Sequence, residues 1–377
     1  MGVVSLLADM VYEGARSLSG PYLALLGASG AAVGLIAGFG ELIAYGLRLL
    51  FGYLSDRTRR YWAFTIAGYA LTALAVPALA LAGSWQIALL FLTLERVSKA
   101  LRSPAKDTLL SYATGQIGHG KGFGLHEALD QIGAISAPLL LAAVVAWRGD
   151  YRLAFALLLI PGALSVVVLL VARARFPQPA DLQGKTPPLA AAGFPRRFWL
   201  YLAGIGLIAA GYADFPLVAF HLERAAVLPS AAIPALYALA MAVDAVAAYL
   251  FGVLYDRVGF SALIAAALLS AGFAPLAFSG SLPLVVAGVA LWGVGMGAQE
   301  SVLRAAVAGM VGPERRGTAY GLFNTGYGLC WFAGSAALGL LYDVSLPALM
   351  AVSVALQLAA VAVLLLVRQL PNASAAR

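Results

Sequence analysis

Long apolar runs, each broken by only a few polar residues and followed by a short connection, set the rhythm of this chain. A helix needs about 20 apolar residues to cross a hydrocarbon core of about 30 Å. Runs of that length are predicted over residues 2 to 26, 30 to 54, 62 to 83, 86 to 110, 122 to 146, 152 to 172, 199 to 222, 230 to 254, 260 to 280, 283 to 308, 318 to 342 and 345 to 367. In lipid every backbone amide must find its partner within the protein, so only helices or closed barrels can span; these runs are too long and continuous for barrel strands. The predicted fold is all-α and integral to the membrane, with twelve transmembrane helices.

Composition agrees. Of 377 residues, 62% are apolar and only 11% charged, against roughly 25% charged in a soluble domain, and mean hydropathy is +0.90. The net charge of +7 raises the question of nucleic acid, but the basic residues fall in short clusters between the runs. Arg57, Arg59 and Arg60 follow the second span, Lys106 and Lys121 the fourth, Arg173 to Arg197 the sixth, Arg257 the eighth, Arg315 and Arg316 the tenth, and Arg368 the last. The opposite connections hold only Arg148, Arg152 and Arg224. By the positive-inside rule both termini are expected in the cytoplasm of a bacterial-type inner membrane, with the bilayer and not nucleic acid as partner. The first span, with Asp9, Glu13 and Arg16, reads as a retained helix and not as a cleaved signal. A lone Cys330 excludes an intrachain disulfide, and three histidines without ligand spacing imply no metal.

One stretch interrupts the rhythm: residues 176 to 197 carry Pro177, Pro179, Pro187, Pro188 and Pro195 with Asp181, Gln183 and Lys185, which suits a cytoplasmic linker. The expected organisation is an N-terminal six-helix bundle over 1–172, a linker over 173–198 and a C-terminal six-helix bundle over 199–377. The halves repeat. Gly52-Tyr53-Leu54-Ser55-Asp56-Arg57 returns as Gly252-Val253-Leu254-Tyr255-Asp256-Arg257, an offset of 200, each after the second span of its half. A fainter echo pairs Gly122-Phe123-Gly124-Leu125-His126-Glu127 with Ala319-Tyr320-Gly321-Leu322-Phe323-Asn324, an offset of 197.

On these residues the chain resembles the major facilitator superfamily of secondary transporters, over essentially its whole length and within a little-characterised, efflux-like branch. The family's loop after the second helix is matched by Gly52, Asp56, Arg57 and Arg60, with Arg59 in place of its second glycine and Tyr61 in place of its last base; the second copy keeps Gly252, Asp256, Arg257 and Gly259. The resemblance implies two pseudo-symmetric six-helix bundles, and a gating role in which Asp56 meets the positive N-terminal end of span eleven. Solvated loop charges obeying the positive-inside rule would look the same. Leu94-Glu95-Arg96 resembles an arginine-bearing motif of span four, with Ala100 for its glycine. Gly133-Ala134-Ile135-Ser136-Ala137-Pro138 resembles the glycine-proline motif of the antiporter branch, although a small-residue packing face has the same composition.

Ionisable side chains within a bilayer mark function by default. They occur at Asp9, Glu13 and Arg16 in span one, Glu41 and Arg48 in span two, Glu95, Arg96 and Lys99 in span four, and His126, Glu127 and Asp130 in span five. The second half adds Asp214 and His221 in span seven, Asp244 in span eight, and Glu300 and Arg304 in span ten, with Asn324 and Thr325 in span eleven. Spans three, six, nine and twelve hold none; the resemblance places those four against lipid. Side chains three, four or seven apart share a helix face, so Glu41 with Arg48, Glu95 with Lys99 and Arg102, and Glu300 with Arg304 are expected to pair along their own helices. A proton carrier must be a carboxylate near mid-membrane. Glu13 beside Arg16 meets this first, followed by Glu41, Asp214 and Asp244. Asp9, Arg16, Arg48, Glu95, Arg96, Glu127, Asp130, Glu300, Arg304, Asn324, Tyr327 and Trp331 are the candidates for lining a substrate cavity, with Arg96 and Arg304 able either to hold an anion or to tether carboxylates.

Two other signals are set aside. The run from Gly115 to Lys121 has phosphate-loop glycine spacing, but Gly122 follows where Ser or Thr is needed and no strand precedes it. His126, Glu127 and Asp130 are read as polar cavity groups in preference to a metal site. No nucleophile, base and orienting group can be assembled, so no enzyme is expected. The chain reads as a proton-coupled secondary transporter using alternating access, functional as a monomer, needing no cofactor beyond the proton gradient, and exporting a small organic compound. Proton-coupled uptake of a polar nutrient, and a non-transporting sensor or scaffold, remain as alternatives.

Overall fold

The computed structural model describes residues 2–114, 119–177, 193–310 and 316–370. They form α1 (Gly2–Leu25), α2 (Gly30–Thr58), α3 (Tyr61–Ala75), α4 (Trp85–Thr114), α5 (His119–Arg148), α6 (Tyr151–Leu157), α7 (Leu159–Arg175), α8 (Arg196–Gly211), α9 (Phe215–Arg224), α10 (Ile233–Val258), α11 (Phe260–Ala271), α12 (Phe273–Ala277), α13 (Leu282–Met310), α14 (Arg316–Val344) and α15 (Leu346–Gln369). Because α6 and α7, α8 and α9, and α11 and α12 follow end to end, the helices make twelve runs among the described residues, matching the predicted spans to within a few residues except in span three, predicted to residue 83, which is α-helical only to Ala75 and goes on as a 3-10 helix over Pro77–Leu81. Predicted spans six, seven and nine, read as continuous, are each broken. The cause is proline, whose ring clashes with the carbonyl four residues earlier and removes one amide donor. Pro161, Pro216 and Pro275 place that carbonyl at Leu157, Tyr212 and Ala271, and the preceding helices end at Leu157, Gly211 and Ala271.

Among the described residues nine runs are long and apolar enough to cross a membrane, and the three others contain α1, α4 and α14. Those three owe their polarity to the residues that matter for chemistry: Asp9, Glu13 and Arg16 in α1, Glu95 to Lys106 in α4, and Asn324 and Thr325 in α14. From Gly14 to Leu23 every residue of α1 is buried, so this helix is enclosed on all sides, as a polar membrane helix must be.

The helices group into two compact units. Unit 1 comprises Met1–Ser29, Phe39–Gly184 and Ala219–Ala238; unit 2 comprises Gly30–Gly38, Lys185–Val218 and Leu239–Arg377. The spatial grouping follows the linear one except at two segments, the first turns of α2 and the stretch from α9 into α10. Within unit 1, α1 packs on α5 and α7, and α3 packs on α4 and α7; within unit 2, α8 packs on α14 and α15, and α11 packs on α13 and α15. One packing scheme is used twice, the structural counterpart of the sequence repeat.

Small residues set the close crossings. A Cβ at Gly133 of α5 would meet the carbonyl oxygen of Leu6, and one at Gly14 of α1 would stand 3.3 Å from Cβ of Ala137. The Gly133 to Pro138 stretch is thus a packing face for α1. Exposure of the four charge-free spans is uneven: the most apolar windows of spans six and twelve are each 33% buried, that of span three 44% and that of span nine 61%. Leu164, Val167, Leu170 and Val171 of α7 and Leu358, Leu365 and Leu366 of α15 are exposed, as lipid-facing side chains are.

Candidate functional site

Each unit contains its own polar cluster. In unit 1 the hub is Arg96 of α4. Its Nη1 lies 2.9 Å from Oε1 of Glu41 on α2, and its Nε lies 3.4 Å from Oε2 of Glu95. Nη1 also donates to the hydroxyl of Tyr12 on α1. The guanidinium reaches α2 because Gly40 leaves room: a Cβ there would stand 3.0 Å from Cγ of Arg96. A planar fork can hold two carboxylates at once, which an ammonium cannot. The pairs expected along single helices, Glu41 with Arg48 and Glu95 with Lys99, make no ion pair within 4.0 Å among the described residues and act on each other only through their fields; Arg96 contacts both acids instead.

Above the same ring of Tyr12 stand Arg96, with Cζ 5.0 Å from the centroid, and Lys99, with Nζ at 3.7 Å. Glu13, one turn from Arg16 on α1, accepts a hydrogen bond through Oε2 from the hydroxyl of Tyr237 on α10. Arg16 is buried within electrostatic reach of Glu13 and Glu41. Asp9 belongs to a second group, with Asp130 of α5 and with Arg102 and Lys106 of α4, where the Arg102 guanidinium stacks 4.6 Å over the ring of Tyr69. Asp9 and Glu13, one turn apart on α1, stay within electrostatic reach of each other, Asp9 towards Arg102 and Lys106 and Glu13 bonded to Tyr237.

The site in unit 2 is built on the proline break. Asp214 is the last residue before α9, and its carbonyl accepts the amide of Leu217 at 3.0 Å, so it caps the second half-helix. Its buried carboxylate accepts hydrogen bonds through Oδ2 from Trp331 Nε1 and Ser335 Oγ of α14, both at 2.8 Å. The backbone freed by the break is also answered: Trp292 Nε1 donates to the carbonyl of Ala213 at 2.9 Å, and the hydroxyl of Tyr212 donates to the carbonyl of Trp292. Rings continue along α14, with Phe323 and Tyr327 centroids 5.8 Å apart and Tyr327 and Trp331 centroids 5.2 Å apart. The Tyr327 hydroxyl donates to Gln299 Oε1 of α13 at 2.9 Å. Asn324 makes no hydrogen bond among the described residues. Asp244 is buried on α10, where its backbone carbonyl lies against Gly297, whereas Glu300 is exposed on α13. The side chains of Glu127 and Arg304 lie outside the described residues, as does the sequence from Gly115 to Gly118.

At the repeated loops, Arg57, Arg60, Asp256 and Arg257 are exposed, and Arg57 Nη1 donates to the hydroxyl of Tyr53 at 3.4 Å. A Cβ at Gly52 or Gly252 would make only ordinary contacts, 3.6 Å to Pro104 and 3.8 Å to Ser301. The side chains of Asp56 and of Arg316 to Thr318 at the start of α14 lie outside the described residues, and with them the expected gating contact. The departure at Arg59 gains a physical meaning. Gly259 has φ of 59°, and Arg59, 200 positions earlier, has φ of 54°. Both copies have a positive φ at this position, and the first copy adopts it without glycine.

Three features escaped the sequence reading. Gln299 looks like an ordinary packing residue until the fold brings it to Tyr327, and nothing local to Tyr237 announces its bond to Glu13. Gly30, Gly34 and Gly38 form a small-residue stripe at spacing of four on α2, a visible signal of close helix approach. A Cβ at Gly34 would meet the carbonyl of Ser335 on α14, and one at Gly38 would stand 2.8 Å from Ser335 Cβ. Asp343, at the far end of α14, caps α2 by accepting the amides of Gly30 at 2.9 Å and Ala31 at 2.7 Å.

Two units with the same packing scheme, each enclosing ionisable and aromatic side chains within apolar helices, define a helical membrane transporter. The comparisons place it further. The sequence pattern of the Major Facilitator Superfamily matches residues 2–335 and 216–377, and the chain belongs to that family. A protein of uncharacterised function from Mycobacterium tuberculosis is 44% identical over 374 residues, 97% of this chain and 91% of the relative. An uncharacterised transporter of this superfamily type from Methanocaldococcus jannaschii is 27% identical over 363 residues, 92% and 88% of the two chains. Among solved structures, a bacterial homologue of the human lysosomal transporter Spinster, in an inward-facing and occupied conformation, superposes with a TM-score of 0.76 at 16% identity over 97% of this chain and 96% of that one. The chain is therefore a multi-span secondary transporter of a small molecule, and not an enzyme.

Proposed function

We propose that transport is driven by protons, that Glu13 is the coupling carboxylate, and that a small organic compound is exported by alternating access. The observation that carries this reading is how Glu13 is held. Glu41 and Glu95 share the guanidinium of Arg96, and protonating either would leave a buried cation short of its partner, which is costly. Glu13 instead accepts from the phenol of Tyr237, is half-buried, and faces Arg16, Tyr12, Lys99 and Asp9 within electrostatic reach. A phenol can stay bonded to either protonation state, donating to the carboxylate and accepting from the acid. Arg16 is placed to stabilise the ionised form. Asp214, bonded to Trp331 and Ser335, is the corresponding carboxylate of unit 2. Export rests on the likeness of the Gly133 to Pro138 stretch to the antiporter motif.

The test is substrate-induced proton flux in proteoliposomes with an internal pH dye. With an acidic interior, adding external solute should drive protons out if exchange is antiport and further in if it is symport. Glu13→Gln should abolish the proton signal while counterflow of labelled solute persists. A Glu13→Gln protein with unaltered proton flux would refute the assignment, and flux towards the interior would reverse the direction. Accumulation unchanged across Glu13→Gln, Arg96→Ala and Asp244→Asn would favour a non-transporting sensor.

A further inference from the structure

The cluster of unit 1 holds four cations, Arg16, Arg48, Arg96 and Lys99, against three carboxylates, Glu13, Glu41 and Glu95. Arg96 is matched twice over. Arg48 and Lys99 are different. Neither has a carboxylate within 4.0 Å among the described residues. Arg48 lies with Cζ 4.8 Å over the ring of Tyr45, and its Nε is buried with no hydrogen-bond acceptor among the described residues. Lys99 lies 3.7 Å over the ring of Tyr12. Both side chains are half-buried, and each lies in the electrostatic field of the other and of Glu41.

Two half-buried cations held near one another, bearing on ring faces with no carboxylate in ion-pair contact among the described residues, are offset only in part by the field of Glu41. Removing either would cost the protein little in internal hydrogen bonds. An acidic group entering between them would satisfy the Arg48 donors and the Lys99 ammonium together. We infer that the transported solute is an organic anion, a carboxylate, phosphate or sulfonate, whose acidic group is held by Arg48 and Lys99, the two cations that the rings of Tyr45 and Tyr12 position. Arg96 then has a tethering role and Arg48 the anion-binding one. The inference rests on the transporter reading above and deepens it by naming the solute's charge.

The experiment is a thermal-shift binding screen of the purified full chain in a neutral detergent, without a gradient. Organic carboxylates, phosphates and sulfonates are compared with their neutral amides and with amines; inorganic phosphate, chloride and phosphatidylglycerol are run beside them. Organic anions should be the stabilising class. Apparent affinity should fall by about tenfold or more in Arg48→Gln and in Lys99→Gln, stay within a few-fold in Arg48→Lys and Lys99→Arg, and be unchanged in the control Arg152→Gln, an exposed residue in the first turn of α6. The charge-retaining pair keeps the result readable if a glutamine variant fails to fold. Stabilisation by neutral or cationic compounds alone, by no organic anion, or equally in both glutamine variants would overturn the inference. So would saturation by inorganic phosphate, chloride or lipid to the same extent, which would make the site one for a simple ion or a headgroup. Because binding is read without protons moving, loss of coupling in Glu13→Gln would leave an anion result standing. Absence of anion binding would leave the coupling to be judged by flux alone.

Discussion

Breaking the Arg96 to Glu41 pair from either side and from both gives a direct measure of what holds unit 1 together. The N···O separation is 2.9 Å, and the two side chains are 12% and 9% exposed. At an effective dielectric near 20 the gross attraction is roughly 6 kcal/mol. Desolvation and the other partners of Arg96 reduce what a mutation reads, and removing one member of a buried pair costs about 3–5 kcal/mol because the other charge is left behind. Arg96→Met should cost the most, since it strands Glu41 and Glu95 together and takes a hydrogen bond from Tyr12. Glu41→Gln should cost about 2 kcal/mol, because Glu95 and Tyr12 still hold the guanidinium. The double variant should cost less than the sum of the two, with a coupling energy of about 2–3 kcal/mol. Thermal unfolding in one detergent, followed by tryptophan fluorescence across the four proteins of the cycle, gives the ranking, and reversible denaturant unfolding gives the energies. Arg96→Lys should fall between wild type and Arg96→Met, because an ammonium cannot serve both carboxylates as the fork does. Additive single effects, or an Arg96→Lys protein as stable as wild type, would refute the reasoning.

Arg59→Gly should stabilise the chain by about 0.5–1 kcal/mol, the relief of a left-handed φ less the entropy that glycine adds to the unfolded state, read as a raised melting temperature. Asp343→Ala should cost about 1 kcal/mol by uncapping α2 and should quicken hydrogen exchange at Gly30 and Ala31, where an unaltered exchange rate would count against the cap. Gly34→Leu drives a side chain into the backbone of α14 and should destabilise by about 1–3 kcal/mol, with Gly34→Ala milder; equal stability of both with wild type would mean that the crossing is looser than described. Trp331→Phe keeps the ring but removes one donor to Asp214, and should cost about 1.5–3 kcal/mol in unfolding experiments.

The helices were legible in the sequence because lipid leaves few options: a run of apolar residues near 20 long must be a helix, and its ends must fall where charge returns. The repeat at Gly52 and Gly252 was equally visible, and the paired packing schemes of the two units are its three-dimensional form. The breaks in spans six, seven and nine were legible in principle from Pro161, Pro216 and Pro275, yet hydropathy averages over them. The partnerships were not legible. Spacing along one helix made Glu41 and Arg48 look like a pair, whereas contact between helices gives Glu41 to Arg96, and periodicity within a helix is silent about its neighbours. Tyr237 stands 224 positions from Glu13, and no local signal links them.

The exchange of short segments between the two units has a consequence for the order in which the chain can be made. Unit 1 draws on residues up to Ala238, beyond the linker, so the ribosome must add about 60 more residues after Pro177, several seconds of elongation, before that unit has all its parts. Until then Glu13 waits in the bilayer without the phenol that will bond to it. The first six helices must therefore persist as an unfinished assembly, with a charged helix enclosed by its neighbours but one wall missing. A chain cut within the linker could still be rebuilt from its two pieces if both are inserted together, while the first piece made alone should be a poorly stable species and a substrate for membrane proteases.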